Sequence, residues 1–158
     1  MTENVYQRIL RGRILLEISE GAGIEYFRNL LAQYPDNARV EFELAGACDF
    51  AGQEAEAIPH YRRAMKLGLP EDDLARAYLQ LGSSLRNVGE FDEAVQLLTE
   101  GVTKFPDYRP LKVFLALAQH SAHQAQAALV TLLDVLLLDA DKLDGYARAL
   151  QYYTDELR

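Results

Sequence analysis

The chain is poor in cysteine, tryptophan, glycine and proline. Its 158 residues include one cysteine, no tryptophan, ten glycines and five prolines. A single cysteine excludes an internal disulfide and a cysteine-based metal cluster. Because no segment is rich in serine and glycine, nothing in the sequence marks a linker between domains. Length and the absence of a linker therefore predict a single domain over residues 1–158.

Positive charge is also scarce, since 16 lysines and arginines stand against 24 aspartates and glutamates and give a formal net charge of −8. This balance disfavours general binding to nucleic acid. Residues 1–4 lack the basic and then apolar profile of a signal peptide. The longest uncharged run, residues 113–133, contains two histidines and three glutamines and is too polar for a membrane span. We therefore expect a cytoplasmic protein that does not bind a membrane.

Two amphipathic helices joined by a turn are predicted in residues 75–108. In the first helix, apolar or small residues follow each other at spacings of three and four, which places them on one face. Gly89 ends that helix and Pro106 stops the second, because proline cannot continue a helix. A hairpin of this kind cannot bury its apolar face alone and needs a neighbour of the same kind. The two faces consist of Tyr78, Leu81, Gly82 and Leu85, and of Ala94, Leu97, Leu98, Gly101 and Val102.

The same order of residue types recurs on both sides of this segment. In residues 38–70, Leu44, Ala45 and Cys48 stand 37 positions before Leu81, Gly82 and Leu85. In residues 109–138 the pattern is less complete. There Leu115 and Ala116 take the Leu-Gly positions, Ala128, Leu132 and Val135 take those of the second helix, and His123 replaces the turn glycine.

The two ends of the chain follow the pattern more loosely. Residues 1–36 predict a hairpin without most of these marker residues, and Gly21-Ala22-Gly23 are expected to separate its two helices. Residues 142–157 predict one further helix that covers the apolar helix before it. Its buried face is predicted to consist of Leu143, Tyr146, Ala147, Leu150, Tyr153 and Leu157.

Residues 75–108 resemble a tetratricopeptide repeat in the positions of Tyr78, Leu81, Gly82, Gly89 and Pro106. The resemblance implies an all-α fold, a right-handed α-solenoid of stacked antiparallel helical hairpins. It implies a single tetratricopeptide-repeat domain with three to four units and a C-terminal capping helix. These are a divergent N-terminal hairpin (1–36), a repeat (38–70), the best-formed repeat (75–108), a worn repeat (109–138) and the capping helix (142–157).

One branch of that family is particularly similar, the small bacterial tetratricopeptide repeat proteins called group 5. The similarity covers about residues 38–138 and includes Ala57-Ile58-Pro59-His60-Tyr61 and Leu81-Gly82-Ser83-Ser84-Leu85. It implies a bacterial, cytoplasmic scaffold for protein–protein interaction that has no cofactor and catalyses no reaction.

In repeats of this type the first helices line a concave groove, so the resemblance implies which residues could meet a ligand. The predicted lining is slightly basic, because Arg39, Arg76 and Arg86 outnumber Glu43 and Asp49. Arginine offers a planar fork for carboxylates, which favours an acidic peptide segment or a C-terminal carboxylate as ligand. The groove residues are predicted to include Arg39, Phe42, Asp49, Arg76, Gln80, Ser83, Arg86, Asn87, Phe114 and His120.

Two alternatives remain open at this point. Arg86 could instead pair with Asp49 or Glu54 of the preceding hairpin and hold the stack together. The protein could also be an assembly subunit that forms homo-oligomers or joins a larger complex through its helix faces, which an exposed apolar patch on a terminal helix would favour.

Catalytic and metal-binding sites are not indicated. His120 and His123 are three residues apart, but no third ligand for zinc is predictable. Cys48 takes a core position, where we expect a buried, reduced thiol. No phosphate-binding loop and no set of catalytic residues can be recognised. The sequence therefore predicts a protein that is not an enzyme and has no cofactor.

Overall fold

The computed structural model describes residues 4–158, and that part of the chain forms nine α-helices and one short 3-10 turn, without a β-strand. The helices are α1 (Val5–Ile18), α2 (Glu20–Gln33), α3 (Ala38–Phe50), α4 (Glu54–Leu67), α5 (Glu71–Asn87), α6 (Phe91–Lys104), α7 (Arg109–Ser121), α8 (Ala125–Leu137) and α9 (Ala147–Glu156), with the 3-10 turn at Ala140–Lys142.

Each helix packs against the next one along the chain, and short connections pair the helices as hairpins α1–α2, α3–α4, α5–α6 and α7–α8. The first helices of neighbouring hairpins also contact each other, α1 with α3, α3 with α5 and α5 with α7. One apolar core runs through the stack from Ile9 to Ala118. The architecture is thus an α-solenoid of helical hairpins, as the sequence predicts.

Close helix crossings occur where the sequence places glycine. A Cβ atom built on Gly82 would overlap the side chain of Leu98, and one on Gly12 would lie 2.5 Å from Cζ of Phe27. At Gly101 the nearest atoms would be Cβ of Tyr78 at 3.0 Å and Cδ2 of Leu111 at 3.1 Å. Glycine at position 101 thus lies where two neighbouring helices pack closely.

The first two helices separate at Ser19, so the break predicted at residues 21–23 is wrong. The Ser19 hydroxyl caps α2 by accepting a hydrogen bond from the backbone N–H of Ala22 at 3.4 Å. The glycines serve packing instead, because a Cβ on Gly23 would lie 2.6 Å from Cα of Leu16. Glycine at this point lets α2 approach α1 closely.

The turn residue of three hairpins has the left-handed backbone conformation. Gly52 and Gly89 have φ angles of 70° and 92°, and His123 has 61°. Glycine adopts this conformation without steric cost, whereas a residue with a Cβ does not. The worn repeat therefore keeps the turn geometry of its neighbours and builds it with a strained residue.

The C-terminal segment is shorter and turned differently from the helix predicted over 142–157. Asp144 and Gly145 have φ angles of 48° and 83°, which reverses the chain and delays α9 to Ala147. Tyr146 and Tyr153, predicted on the buried face, are exposed, whereas Thr154 is fully buried. Ala147, Leu150 and Leu157 of the predicted face are half-buried, so the buried face includes Thr154 in place of its neighbour Tyr153.

Candidate functional site

A cavity of about 230 Å³ lies between the first helices of three consecutive hairpins. Its walls come from α1, α3 and α5, so it lies on the side where the sequence predicts the groove. Two of the predicted residues, Arg39 and Arg76, meet here although 37 positions separate them. The cavity is lined by Tyr6, Ile9, Arg13, Arg39, Glu43, Asp73 and Arg76.

Three guanidinium groups share this cavity with two carboxylates. Nε of Arg13 donates to Oε2 of Glu43 at 2.8 Å, and a second Arg13 nitrogen contacts the other oxygen of the same carboxylate. Nε of Arg39 lies 3.1 Å from Oδ2 of Asp73, while the nearest guanidinium nitrogen of Arg76 lies 3.7 Å from Oδ1. The Asp73 carboxylate therefore pairs with two arginines, and its contact with Arg76 is the longer one.

The Phe42 ring packs against the guanidinium group of Arg76. The Arg76 guanidinium lies 5.5 Å from the centroid of the Phe42 ring, a cation–π arrangement. The ring is only 4% exposed and packs against Tyr61, with ring centroids 5.9 Å apart. Phe42 thus positions the arginine and offers little surface of its own to a ligand.

Arg76 also lines a second, larger cavity of about 620 Å³ at the start of α5 and the end of α6. This cavity combines aromatic surface with charges of both signs. Since Arg76 belongs to both cavities, it stands at their junction. The other lining residues are Glu71, Asp72, Ala75, Lys104, Phe105, Pro106, Asp107 and Tyr108.

Asp49 is engaged inside the stack. Its carboxylate accepts hydrogen bonds from the Ser84 hydroxyl at 2.8 Å and from the Tyr61 hydroxyl at 3.4 Å. Burial raises the pKa of Asp49, and the hydrogen bond from Ser84 partly offsets this rise. Asp49 therefore joins the second and third hairpins.

Arg86 makes no ion pair with Asp49 or Glu54 within residues 4–158. It donates to the side-chain oxygen of Asn87 at 3.0 Å, and Nδ2 of Asn87 in turn donates to Glu54 at 3.2 Å. Nε of Arg86 is buried and has no hydrogen-bond partner in the described chain. The link to the preceding hairpin thus runs through Asn87 and is not the direct ion pair weighed from the sequence.

The remaining predicted groove residues lie outside both cavities. Gln80 is half-buried, and its Oε1 atom has no hydrogen-bond partner among residues 4–158. Ser83 is half-buried, Phe114 packs against the core, and His120 is exposed. The structure therefore gathers Arg39 and Arg76 into one site, and Arg86 lines neither of the two cavities.

Sequence reasoning missed Arg13, Asp73 and Tyr6. Arg13 and Tyr6 lie in the divergent N-terminal hairpin, where too few marker residues fix the register of the groove positions. Asp73 precedes the predicted repeat and reads as a residue of an acidic loop. The available signal was that α1, as a first helix, has to share the concave side with α3 and α5.

Other reactive groups form no second site. Within residues 4–158, no three His, Cys, Asp or Glu side chains are grouped as metal ligands. Cys48 is buried, and burial raises the pKa of its thiol to about 11, which keeps it protonated at neutral pH. No helix among the described residues is both long and apolar enough to cross a bilayer.

Several solved structures have a similar fold. MamA from Desulfovibrio magneticus RS-1 matches with a TM-score of 0.70 at 14% identity, over 95% of this chain and 94% of that one. YrrB, described as a TPR protein with an unusual peptide-binding site, matches with 0.70 at 19% identity, over 89% and 71%. A mutant O-GlcNAc transferase of Thermobaculum terrenum matches with 0.67 at 22% identity, over 85% of this chain and 27% of that one. At these identities the similarity establishes the fold.

No match was found among curated proteins. A family model described as Tetratrico peptide repeat, for group 5 of that family, matches residues 38–157 and so extends through α9. The helical hairpins, the glycine crossings and the left-handed turns all fit this match. The chain belongs to the group-5 tetratricopeptide repeat family.

Proposed function

We propose that the protein is a non-enzymatic interaction module that binds an acidic peptide segment or the C-terminal carboxylate of a partner protein beside Arg76. The supporting observation is the surplus of cationic groups in the cavity between α1, α3 and α5, where three guanidinium groups face two carboxylates. A ligand carboxylate would neutralise the third guanidinium group. The repeat fold, which typically serves protein–protein interaction, supports the same class of function.

Arg76 is the arginine best placed to accept such a ligand. Arg13 already holds Glu43 through two nitrogens, and Arg39 lies closer to Asp73 than Arg76 does. The planar guanidinium group of Arg76 lies over the Phe42 ring, which fixes the orientation of the arginine before a ligand binds. A preoriented fork loses little conformational entropy when it binds a carboxylate.

The larger cavity suggests the residue type beside the carboxylate. Phe105, Pro106 and Tyr108 give it an apolar wall, and it begins at Arg76. A peptide with its carboxylate on Arg76 can place a neighbouring large apolar side chain against this wall. YrrB, which shares the fold, is described as having a peptide-binding site, and this agrees with the proposed mode of action.

Fluorescence anisotropy with a labelled hexapeptide tests the proposal. The probe contains glutamates, one phenylalanine and a free C-terminus, and is compared with its C-terminal amide and with a peptide in which lysines replace the glutamates. We expect Arg76→Ala to weaken binding roughly 10- to 150-fold, because a charge-assisted hydrogen bond contributes about 1.5–3 kcal/mol. Arg76→Lys should restore part of the affinity, since it keeps the charge and loses the fork.

Arg62→Ala is the matched control. Arg62 is an arginine of similar exposure that pairs with Glu93 between two second helices, outside both cavities. Its removal should leave the affinity unchanged. Equal binding of all three peptides, or equal affinity of Arg76→Ala and the wild type, would refute the proposed site. A loss on amidation alone would identify the C-terminal carboxylate as the recognised group.

A further inference from the structure

Helix α8 exposes repeat positions that are buried in the inner repeats, where the second helix also packs on the next hairpin. Leu132 occupies the repeat position of Tyr61 and Leu98, which are 0% and 1% exposed, yet Leu132 is 43% exposed. Leu129 and Leu136, three residues before it and four after it, are exposed as well. We refer to these three leucines as the α8 stripe. It is a stacking surface that no hairpin of the described chain covers.

Helix α9 lies beside this stripe. Gln126 on α8 donates to the carbonyl oxygen of Leu157, and Asp134 pairs with Arg158. Asp134 lies on the opposite side of α8 from Leu132 and Leu136, since an α-helix turns about 100° per residue. The capping helix therefore leaves the α8 stripe open to solvent.

The opposite end of the solenoid carries a second apolar surface. Four large side chains recur every fourth residue along α1 and are all exposed, with Ile14 and Ile18 reaching 59% and 77%. We refer to them as the α1 stripe: Tyr6, Leu10, Ile14 and Ile18.

Repeat register shows that part of the α1 stripe also lies on a stacking face. Gly12 corresponds to Gly82, because each lies beneath the large residue of its partner helix, Phe27 or Leu98. By this register Ile14 corresponds to Ser84, which is fully buried and bonds to Asp49 of the preceding hairpin. Ile14 is thus on the side where a preceding hairpin would pack, and it is apolar and larger than Ser84.

The two ends carry opposite charge. Helix α1 has three arginines and one glutamate, whereas residues 125–158 have six acidic and three basic residues. Opposite charge favours contact of one end with the other and disfavours contact of either end with itself.

We propose that a second copy of this chain packs its α1 stripe on the α8 stripe, so that copies join head to tail. Such a contact is heterologous: it uses two different surfaces and leaves one of each free, so the assembly can grow beyond a dimer. Tyr6 is the one stripe residue that also lines the peptide-site cavity, whereas Arg39 and Arg76 belong to neither stripe and the isoleucines and leucines changed in the test below do not line that cavity.

Sedimentation velocity over a range of concentrations tests the assembly with two complementary variants. The first, Ile14→Glu/Ile18→Glu, blocks the α1 stripe, and the second, Leu132→Glu/Leu136→Glu, blocks the α8 stripe. We expect the mean mass of the wild type to rise past that of a dimer with concentration, and each variant alone to remain a monomer. A mixture of the two should form a dimer and nothing larger, because each contributes one intact surface.

Val88→Glu is the control, since Val88 is a similarly exposed apolar residue in the turn after α5. It should assemble like the wild type, and so should Arg76→Ala, which separates this proposal from the peptide site. If circular dichroism shows that the second variant has lost helix, Leu136→Gln replaces it. A monomeric wild type, a dimer formed by either variant alone, or a mixture that stays monomeric would overturn the proposal.

Discussion

The hairpins α5–α6 and α7–α8 carry the same repeat positions in different surroundings. Leu98 is buried against Gly82 of its own first helix, whereas Leu132, its counterpart on the last hairpin, is exposed. Gly89 forms the turn of one hairpin and His123 that of the other, with the same left-handed backbone. The difference shows that in a solenoid the burial of a residue depends on its repeat position and also on whether another unit follows.

Polar contacts between hairpins differ in the same way. The Asp49 carboxylate accepts a hydrogen bond from the Ser84 hydroxyl on the first helix of the next hairpin. One repeat later, Arg86 takes the position of Asp49 and Ala118 takes that of Ser84, and alanine has no polar side-chain atom. This explains why Nε of Arg86 is buried without a partner in the described chain.

The largest expected effect compares the two leucines. Leu98→Ala should lower the free energy of unfolding by about 2–5 kcal/mol, because it removes a fully buried side chain and leaves a cavity. Leu132→Ala should cost less than about 1 kcal/mol, since nearly half of its surface already meets water. Urea unfolding at a dilution where the chain is monomeric measures both, and equal costs would contradict the comparison.

The next effect concerns the two glycines of the well-formed hairpin. Gly82→Ala should destabilise by about 1–3 kcal/mol, because its Cβ overlaps Leu98. Gly101→Ala should change stability little, since contacts of 3.0–3.2 Å are offset by the roughly 1 kcal/mol that alanine gains over glycine in a helix. Thermal unfolding of both variants measures these effects.

A double variant provides the control for Gly82. When Leu98→Ala has removed the overlapping atoms, Gly82→Ala should no longer carry its penalty, so the two changes should not be additive. Additive costs would show that the loss at Gly82 does not arise from the Leu98 contact.

Much of this fold could be predicted because characteristic residues of the repeat occur where its helices pack together. Glycine inside a helix is unfavourable by itself, so Gly82 and Gly101 indicate positions where two helices pack closely. The positions of α9 and of the Ser19 break were missed, since they depend on a two-residue turn at Asp144–Gly145 and on a single serine cap. Such local choices leave no periodic pattern in the sequence.

A smaller effect is expected at the two turns. His123→Gly should stabilise the protein by up to about 1 kcal/mol, because glycine adopts the left-handed conformation without strain, although it also gains entropy in the unfolded state. Gly89→His should destabilise it by a similar amount or more. Chemical denaturation of both variants tests the pair, and a loss of stability in His123→Gly would indicate that the imidazole makes a compensating contact.

The candidate site was predicted in part, for a physical reason. Helical spacing places Arg39 and Arg76 on one side of their helices, and the stacking of hairpins brings them together. Spacing alone does not show how a charge is compensated, so it could not reveal that Asp73 serves two arginines or that Arg86 turns to Asn87. Those partners depend on side-chain conformations across three helices.

The smallest effect is the pH dependence of the Asp49 contact, which exists between the second and third hairpins and has no counterpart one repeat later. Burial raises the pKa of Asp49 above its unfolded value, so between these two values the folded chain binds more protons than the unfolded chain. Stability contributed by this group is therefore lost as pH rises through that window. Measured against Asp49→Asn from about pH 3.5 to 7, the wild type should lose relative stability with increasing pH.

Ser84→Ala and Asp139→Asn test the sign of this dependence. Without the Ser84 hydroxyl the pKa of Asp49 should rise further, which extends the window to higher pH. Asp139 behaves oppositely, because the hydrogen bond from Arg109 lowers its pKa, so the wild type should lose stability relative to Asp139→Asn as pH falls through the folded-state pKa. Thermal unfolding measures all three variants, over the same pH range for Asp49→Asn and Ser84→Ala and at more acidic pH for Asp139→Asn, since the lowered pKa of Asp139 places its window below the unfolded value. The stability of the wild type relative to each Asn variant should change with pH in opposite directions for Asp49 and Asp139. The same direction for both would show that the Asp49 carboxylate is solvated and that its contact with Ser84 does not join the two hairpins.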